Sequence, residues 1–469
     1  MRRTAFIRIF VPLVAVSELL LILNDCGGPN TSDKIPPGII QHVIIIFQEN
    51  RTPDNLFHDP VLIARGADIA SSGVNSLGQT IPLTAAPLGM DYDLDHSHPA
   101  FVAMYDGGKM DGADKVRVSC DKGAIPCPPP NAQFVYVPAS DVAPYYQMAE
   151  QYAFGDRMFQ TNEGPSFPAH QFILSGTSAP TASSNLFAAE NPPSGNAGCI
   201  APPGALVNMI DPSGNESSKI YPCFEHPTLT DELDAKEISW RYYAPNAGSI
   251  WTAPDAIQHM CGPSATPPNA TACTGSEWVN HVVLYTNGNH HPILTDINNQ
   301  QLPAVSWVIP SGQNSDHPGA VGNTGGPSWV ASIVNAIGGS SYWSNTTIIV
   351  TWDDWGGLYD HVPPPKVLEN CSEWGCGYVY GFRVPLIVIS PYAKVGYISH
   401  VNHDFGSILK FVEQVYGLGS LGYADVPADN LSDCFSFSQT PLQFQTIAAP
   451  LDAGHFLNDN TPPTDPDDD

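Results

Sequence analysis

Four short apolar runs recur along the chain, and each is nearly continuous instead of alternating with polar residues. Runs of this kind, rich in β-branched residues, are typical of the central strands of a parallel sheet, which are buried on both faces. Helical patterns at residues 329–337 and 404–416 lie among them. This alternation predicts an α/β fold with a central, mostly parallel sheet and helices on both faces. The runs are 42–47 (HVIIIF), 304–309 (AVSWVI), 347–352 (TIIVTW) and 384–390 (VPLIVIS).

The segment from about 180 to 300 has a different pattern, because Pro, Gly, Asn and Ser interrupt it repeatedly (NPPSGNAG, APPG, DPSGN, PSATPPNA). We expect it to be a loop-rich cap or insert on the substrate side of a single domain that spans residues 36–450. Residues 451–469 end in TPPTDPDDD. A segment so rich in acidic residues and Pro predicts a disordered tail.

The N-terminus predicts an exported protein. Arg2, Arg3 and Arg8 accompany an apolar stretch at residues 9–23, and residues 1–25 are therefore interpreted as a signal peptide or lipoprotein signal. Cys26 and the two glycines after it loosely resemble a lipoprotein site, so Cys26 is a possible lipid anchor. The alternative, that this stretch is a first strand or helix of the fold, stays open. We find no second apolar run long enough to span a membrane.

The charge of the chain excludes some classes of partner. Lys and Arg number 18 against 46 Asp and Glu, which gives a net charge of −28. Because contacts with phosphate backbones and anionic lipids need Lys and Arg, general binding of nucleic acid or anionic membranes is excluded. An anionic substrate is still compatible with this charge if a bound cation reverses it locally.

The cysteines indicate short disulfide-closed loops. The chain has ten Cys, and in an exported protein eight of them are expected to form bonds between near neighbours. Connectivity is not fixed by the sequence. The spacings do not match a structural zinc site. The neighbouring pairs are Cys120/Cys127, Cys199/Cys223, Cys261/Cys273 and Cys371/Cys376.

Acidic residues follow two of the predicted strands directly. The first run continues into Glu49 and Asn50, and the third continues into Asp353 and Asp354. In open α/β sheets ligands bind beyond the carboxyl ends of the strands, and adjacent carboxylates repel unless positive charge is near. These four side chains therefore predict a site for a divalent metal ion of unknown identity. The alternative is that they are solvated loop acids.

Ser166 and a group of histidines are the other candidates for chemistry. Ser166 lies in GPSFPAHQFILSGTS, at a turn that precedes a short apolar helix. Its hydroxyl is either a helix N-cap or a nucleophile held at a helix N-terminus. The chain has fifteen histidines, many of which cluster beside Pro and Gly. This suits phosphate ligation, proton transfer or metal binding, with an acidic pH optimum. They include His96, His290, His291, His317, His361 and His403.

Seven segments, in order from residue 42 to about 416, resemble motifs of the bacterial phosphoesterase family that contains phospholipases C and respiratory-burst-inhibiting acid phosphatases. Any one of them is weak evidence, but seven in the same order are specific. The segments are HVIIIFQENRTPDNLF, HSHPAFVAMYDGGKMDGA, GPSFPAHQFILSGTS, SWVIPSGQNSDHPG, TWDDWGGLYDHVPPP, GFRVPLIVISPY and NHDFGSILKFVE.

The resemblance implies an alkaline-phosphatase-like fold and hydrolysis of phosphate esters through a covalent phosphoserine. Ser166 then takes the position of the nucleophile and completes the metal sphere. Some positions depart from the family pattern: Phe167, Ala169 and His170 stand in a segment that is often Thr-x-Pro-Asn-Arg. The resemblance places Glu49, Asn50, Ser166, Asp353 and Asp354 at the metal, and His96, His290, His291 and His317 at the phosphate or the leaving group.

Three functions remain open at this point. Longer phospholipase members of the family carry additional C-terminal β domains, and the chain stops near residue 469. This favours an exported acid phosphatase that acts on a small phosphomonoester, in the periplasm, outside the cell or as an outer-membrane lipoprotein. The first alternative is a phospholipase C that cleaves phosphatidylcholine-type lipids. The second is a non-catalytic surface protein that binds a cation or a glycan.

Overall fold

The computed structural model describes Met1 and residues 35–464, apart from residues 121–126, 287, 320 and 372. The rest of the predicted export signal, Cys26 and the last five residues lie outside this part of the chain. In the described residues, no helix combines the length and the apolar character needed to cross a membrane.

The described residues form eighteen strands, most of them short. They are β1 (His42–Gln48), β2 (Ser72–Val74), β3 (Thr80–Pro82), β4 (Thr84–Ala85), β5 (Tyr92–Leu94), β6 (Val118–Cys120), β7 (Val135–Tyr136), β8 (Ala153–Phe159), β9 (Phe187–Ala188), β10 (Val207–Ile210), β11 (Glu216–Ile220), β12 (Trp240–Ala244), β13 (Val282–Leu284), β14 (Val305–Val308), β15 (Thr346–Trp352), β16 (Arg383–Ile389), β17 (Ile398–Ser399) and β18 (His403–Asp404).

Twelve α-helices occur in the same residues. They are α1 (Pro53–Leu56), α2 (Pro60–Ala64), α3 (His98–Tyr105), α4 (Ala139–Gln151), α5 (Ser166–Ser175), α6 (Leu229–Ala235), α7 (Gln258–Cys261), α8 (Ser276–His281), α9 (Pro292–Asn298), α10 (Gly326–Gly338), α11 (Phe405–Tyr416) and α12 (Ala453–Asn458).

The central sheet has the strand order β13-β12-β14-β1-β15-β16-β8-β17, and β18 also pairs with β8. Every neighbouring pair is parallel except the two that involve β16. The predicted α/β fold with a mostly parallel sheet is therefore confirmed. The direction expected for residues 384–390 is wrong, because the described residues between β15 and β16 contain no α-helix to carry a parallel crossover.

Helices cover both faces of the sheet, as predicted. The Phe47 ring packs against His170 of α5 and Phe405 of α11, with centroids 4.8 and 5.1 Å away. Trp352 pairs with the next residue of β1 and packs against Tyr145 of α4 at 5.1 Å. Successive side chains of a strand point to opposite faces. The helices α5 and α11 therefore lie on one face and α4 on the other, which explains why β15 is buried throughout and β1 is buried after its first residue.

The segment from 180 to 300 differs from the loop-rich insert that was expected. Strands β12 and β13 belong to the central sheet, and β9, β10 and β11 form a separate three-stranded sheet. Trp240, Tyr242 and Tyr243 of β12 are at most 1% exposed. The large apolar area that these aromatic side chains bury outweighs the Pro- and Gly-rich surroundings of the strand.

The described part of the expected disordered tail contains helix α12. The Asp452 side chain caps this helix by accepting a hydrogen bond from the backbone N–H of His455 at 2.9 Å. Phe456 is 2% exposed, and its ring packs edge-on against His291. One buried aromatic residue and a helix cap thus anchor a segment whose composition predicts disorder.

The four expected disulfides are confirmed. Each joins the two cysteines of a neighbouring pair: Cys120–Cys127, Cys199–Cys223, Cys261–Cys273 and Cys371–Cys376. Cys434 has a free, buried thiol. Disulfides of this number are typical of proteins that fold in an oxidising compartment.

Candidate active site

Two neighbouring strands bring the predicted acidic residues together. In β1 and β15, Gln48 pairs with Trp352 in register, so Glu49 and Asp353 follow at the same edge of the sheet. The backbone N–H of Asn50 donates to Asp353 Oδ1 at 3.0 Å, and that of Asp354 donates to the same oxygen at 2.8 Å. All four predicted metal-binding side chains thus lie in one buried cluster at the carboxyl ends of parallel strands.

A third strand delivers Ser166 to this edge. Strand β8 ends at Phe159, and after a short loop α5 begins at Ser166 itself. Pro165 occupies the N-cap, and the side-chain oxygen of Asn191 accepts from the backbone N–H of Phe167 at 2.8 Å. Asn191 therefore performs the capping that was one interpretation of Ser166, and the Ser166 hydroxyl is available for another role.

The Ser166 hydroxyl faces the carboxylates. Its Oγ lies 3.5 Å from Glu49 Oε2 and 3.5 Å from Asp354 Oδ2. All three residues are 0% exposed. Burial, and then the charge of Asp353, hold the pKa of Asp354 well above its usual range. Among the described residues, no ion pair joins Asp353 or Asp354 to a Lys or Arg, so the cluster has an excess of buried negative charge.

The oxygen atoms of the cluster fit a divalent cation. Asn50 Oδ1 and Asp353 Oδ2 are buried, and neither has a hydrogen-bond partner among the described residues. A buried acceptor without a partner is unfavourable, and a cation among several carboxylate and amide oxygens removes that penalty. The donor set of Glu49, Asn50, Asp353 and Asp354 therefore suits the metal that the sequence predicts.

His96 and His317 lie together beside this cluster. Their ring centroids are 5.8 Å apart. Each Nδ1 contacts a backbone carbonyl, Leu94 O at 2.9 Å for His96 and Pro318 O at 2.5 Å for His317. A carbonyl only accepts, so Nδ1 carries the proton. His96 Nε2 then accepts from the side-chain amide of Asn50 at 3.2 Å, which links the imidazole to the acidic cluster.

The other two predicted histidines are placed differently. His291 Nδ1 accepts from the indole N–H of Trp329 at 3.1 Å, and its Nε2 lies 3.9 Å from Asp459. Burial lowers the pKa of His291 to about 4, which suits a neutral ring that joins α10 to the C-terminal segment. His290 is 5% exposed. His290 and His291 are adjacent in the sequence, but none of the described contacts of either residue reaches Ser166.

His170 is a site residue that the sequence reasoning did not select. It is buried, and its Nε2 lies 3.2 Å from Glu49 Oε1 and 4.0 Å from Asp353 Oδ2. Burial lowers the pKa of His170 to about 4, despite the opposing charge of Asp353. The sequence did contain a signal for this position. His170 follows Ser166 by four residues in the same helix, and residues four apart lie on the same helix face.

A second buried cluster surrounds Arg383, at the start of the antiparallel strand β16. The Arg383 guanidinium donates to both carboxylate oxygens of Asp360 at 3.0 Å and to Asp54 at 3.2 Å. His361 Nδ1 contacts Asp54 at 2.7 Å, and its Nε2 contacts Asp68 at 3.0 Å. Arg383 is 0% exposed, so the geometry favours a structural ion pair over phosphate binding for this residue.

An open cavity of about 430 Å³ lies next to the N-terminus of α5 and is lined by His96 and Pro165 among others. Seven of the nine residues that line it are polar or charged. Arg117 pairs there with Asp95 at 2.8 Å. Glu190 also lines the cavity, and burial followed by the charge of Glu216 raises its pKa to about 8. The cavity gives a polar ligand access to the neighbourhood of Ser166.

Comparison with known proteins relates the chain to a family and to several relatives. The sequence pattern of the phosphoesterase family matches residues 40–419. Phospholipase C B of Mycobacterium tuberculosis is 24% identical over 86% of this chain and 78% of its own length. Non-hemolytic phospholipase C of Pseudomonas aeruginosa is 23% identical over 81% of this chain and 54% of its own length. A solved structure of an alkaline phosphatase superfamily protein from Vibrio parahaemolyticus aligns with a TM-score of 0.38, at 11% identity over 85% of this chain and 71% of that one.

Proposed function

The chain belongs to the phosphoesterase family and is a phosphoric ester hydrolase, and we propose that it is an exported acid phosphatase in which Ser166 is the nucleophile. The observation that carries the proposal is the position of Ser166 Oγ, 3.5 Å from both Glu49 Oε2 and Asp354 Oδ2 at the start of a helix. The N-terminus of α5 favours negative charge on a phosphoryl group held there. The four disulfides support export.

The chain supplies both groups that the reaction needs. Ser166 Oγ attacks phosphorus while its proton passes to one of the two carboxylates that face it. The bond from phosphorus to the leaving alcohol breaks, and the Nε2–H of a doubly protonated imidazole protonates the departing alkoxide. We assign this protonation to His317, whose Nδ1 is fixed by the carbonyl of Pro318. Water then cleaves the phosphoserine, which releases inorganic phosphate and restores the serine.

A divalent cation completes this proposal. Glu49, Asn50, Asp353, Asp354 and Ser166 would hold it. When bound, it would supply positive charge that favours the serine alkoxide and offsets the charge on the phosphoryl oxygens. His96, held by the Asn50 amide and the Leu94 carbonyl, is placed to contact the phosphate.

The polar lining of the cavity supports a small, hydrophilic phosphomonoester as the substrate. Asp95, Ser97, Ser119 and Glu190 are part of the wall. Hydrogen-bonding groups of this kind suit a hydrophilic leaving group better than acyl chains. Glu190 would be protonated at acidic pH, since its pKa is about 8, and an uncharged carboxyl does not repel a phosphate.

The first test is hydrolysis of p-nitrophenyl phosphate near pH 5 by wild type, Ser166→Ala and Ser175→Ala. Ser175 is the matched control, because it is a buried serine of the same helix and its Oγ has no hydrogen-bond partner among the described residues. We expect Ser166→Ala to lose activity by about 10³-fold or more, and Ser175→Ala to retain it. Acid-quenched wild type should yield a phosphorylated peptide that contains Ser166. Full activity in Ser166→Ala would disprove the assignment.

The second candidate function is phospholipase C, which the names of the sequence relatives favour. It uses the same nucleophile but a lipid substrate. Phosphatidylcholine in mixed micelles separates the two, since a phospholipase C releases phosphocholine from it whereas a phosphomonoesterase leaves the lipid intact. Release of phosphocholine with a higher kcat/KM than p-nitrophenyl phosphate would replace the first proposal with the second.

A further inference from the structure

The two carboxylate oxygens of Glu49 face different side chains. Oε2 lies 3.5 Å from Ser166 Oγ, whereas Oε1 lies 3.2 Å from His170 Nε2. We propose that His170 is a nitrogen ligand of the divalent cation, and that the centre therefore selects Zn²⁺ over Ca²⁺ and Mg²⁺. This inference rests on the proposed function only in that the cation is the one held beside Ser166.

The distances around His170 match a shared ion. His170 Nε2, one oxygen of Glu49 and one oxygen of Asp353 all lie within 4.8 Å of one another. Two ligand atoms that each lie about 2.0–2.2 Å from the same Zn²⁺ are separated from one another by distances similar to those between these three atoms. The gap of 4.0 Å between His170 Nε2 and Asp353 Oδ2 is too long for a hydrogen bond, but it spans two bonds to one ion.

A second observation points into the same gap. Asp353 is 0% exposed, and its Oδ2 has no hydrogen-bond partner among the described residues. A buried carboxylate oxygen in this state is strongly unfavourable. The imidazole of His170 is equally buried. A cation between the two side chains gives Asp353 Oδ2 the partner that it lacks.

The local fold fixes the imidazole where a ligand is needed. His170 and Ser166 are four residues apart on α5, so both side chains lie on the face toward the cluster. The Phe47 ring packs edge-on against the imidazole at 4.8 Å, and Trp251 lies nearly parallel to it at 6.5 Å. One helix thus supplies the proposed nucleophile and a nitrogen donor in a rigid, dry setting.

The nitrogen donor determines which ion is preferred. Carboxylate and amide oxygens alone suit Ca²⁺ and Mg²⁺. Imidazole nitrogen suits Zn²⁺ and other later first-row ions, which also bind N/O sites more tightly in general. Adding His170 to Glu49 and Asp353 therefore moves the preference toward Zn²⁺.

The competing interpretation is that His170 only positions Glu49. In that case its Nε2–H donates to Glu49 Oε1 and never contacts the ion. Loss of such a positioning hydrogen bond lowers the affinity for every metal, by about 10–100-fold. Loss of a nitrogen ligand lowers Zn²⁺ affinity much more than Ca²⁺ affinity, so the ratio of the two affinities distinguishes the interpretations.

The test titrates Zn²⁺ and Ca²⁺ by calorimetry into the metal-free full chain, without substrate, using wild type, His170→Gln and His226→Gln. His226 is the matched control, because it is 2% exposed and contacts the carbonyl of Ala179 at 2.7 Å, outside the cluster. We expect His170→Gln to lose more than about 100-fold in Zn²⁺ affinity and less than about tenfold in Ca²⁺ affinity. His226→Gln should keep the wild-type ratio. An equal loss for both ions would overturn the proposal.

A second measurement works even if His170→Gln fails to fold. Pulsed EPR of Cu²⁺-loaded wild type, prepared with natural and with ¹⁵N-labelled histidine, detects directly bound imidazole nitrogen. We expect coupling to one imidazole that changes with the label, and its disappearance in folded His170→Gln. Wild type without this coupling, or a variant that retains it, would overturn the proposal. Neither readout uses turnover, so the metal proposal and the proposed function can fail separately. A Ser166→Ala variant that is inactive but still binds Zn²⁺ supports the nucleophile assignment and leaves the metal proposal to these measurements. A fully active Ser166→Ala variant refutes the nucleophile assignment alone.

Discussion

Two buried acidic clusters lie at the same edge of the central sheet, and they differ in what neutralises them. Around Arg383, the carboxylates of Asp54 and Asp360 receive hydrogen bonds from a buried guanidinium at 3.0–3.2 Å. Around Ser166, the described ion pairs give Asp353 only an imidazole at 4.0 Å, and they give Asp354 none. The protein therefore neutralises the buried carboxylates around Arg383 with its own positive charge, and it leaves the buried carboxylates around Ser166 without such neutralisation.

The difference indicates which cluster is functional. In the cluster around Arg383 the protein supplies the positive charge itself. The result is a buried ion-pair network that holds loops together and leaves no room for a ligand. A cluster with unbalanced carboxylates destabilises the fold until something binds, and such sites are retained for function. Both clusters follow strand ends, so position alone does not separate them.

The largest expected change in stability comes from removing the positively charged guanidinium of Arg383. Arg383→Met leaves Asp54 and Asp360 buried without a partner, and we expect it to lower the free energy of unfolding by about 3–5 kcal/mol. Arg157→Met is the control, since Arg157 pairs with Asp68 at 2.8 Å but is about one-third exposed, and it should cost less than about 1 kcal/mol. Urea unfolding of the metal-free proteins measures both. Equal effects would mean that the Arg383 network contributes no more than a surface pair.

The next effect tests the unbalanced cluster with an added cation. A divalent ion at a hundred times its dissociation constant should raise the free energy of unfolding by about 2.7 kcal/mol, and a chelator should reverse this. In Asp353→Asn the rise should largely disappear, because one carboxylate facing the ion is lost. Thermal unfolding with and without metal measures the response. A full response in Asp353→Asn would place the ion elsewhere.

Much of this architecture is readable in the sequence, because buried central strands have a simple signature. The prediction of residues 42–47 and 347–352 matches β1 and β15 closely, and the acidic residues after them do meet. Their pairing register is not encoded locally. The antiparallel direction of β16 is equally invisible in an apolar run, although the lack of a helix before it is a signal.

The parts that escaped prediction depend on long-range contacts. Phe456 anchors α12 because it packs into the main core and against the ring of His291, and nothing within residues 451–469 reveals those partners. The same contact explains why His291, adjacent to His290 in sequence, serves α10 and the C-terminal segment. His170 is the exception, since its distance of four residues from Ser166 within one helix was available from the sequence.

The balanced cluster also predicts how stability depends on pH. Burial opposes charge on His361, but its hydrogen bond to Asp54 and the charge of Asp54 outweigh this and raise its pKa to about 9. A raised pKa stabilises the fold fully below about pH 6.5 and ceases to do so as the pH rises through about 9. Burial, opposed by Arg383, raises the pKa of the neighbouring Asp360 to about 6. This carboxyl therefore lowers the stability as the pH rises from about 4 to 6, a range below the one in which His361 acts.

The advantage of wild type over His361→Gln should therefore shrink as the pH rises from 6 to 9.5. We expect a change on the order of 1–2 kcal/mol, reduced from the full effect because the His361 side chain is 27% exposed. Urea unfolding at several pH values measures it. An advantage that grows with pH would show that the imidazole is neutral in the folded protein, and it would weaken the description of this cluster as balanced by its own cations.

The last prediction concerns the sign of a change in stability, which should differ between the two clusters. Asp54→Asn removes the carboxylate that Arg383 contacts at 3.2 Å and His361 contacts at 2.7 Å, so it should lower the stability of the metal-free protein by about 2 kcal/mol. Asp354→Asn removes a buried charge beside Asp353, while the amide oxygen can still accept from the backbone N–H of Gly356, which donates to Asp354 at 2.7 Å in wild type. It should leave metal-free stability unchanged or raise it by about 1 kcal/mol. A loss in both variants would mean that the protein already neutralises both clusters, and that the carboxylates beside Ser166 need no cation.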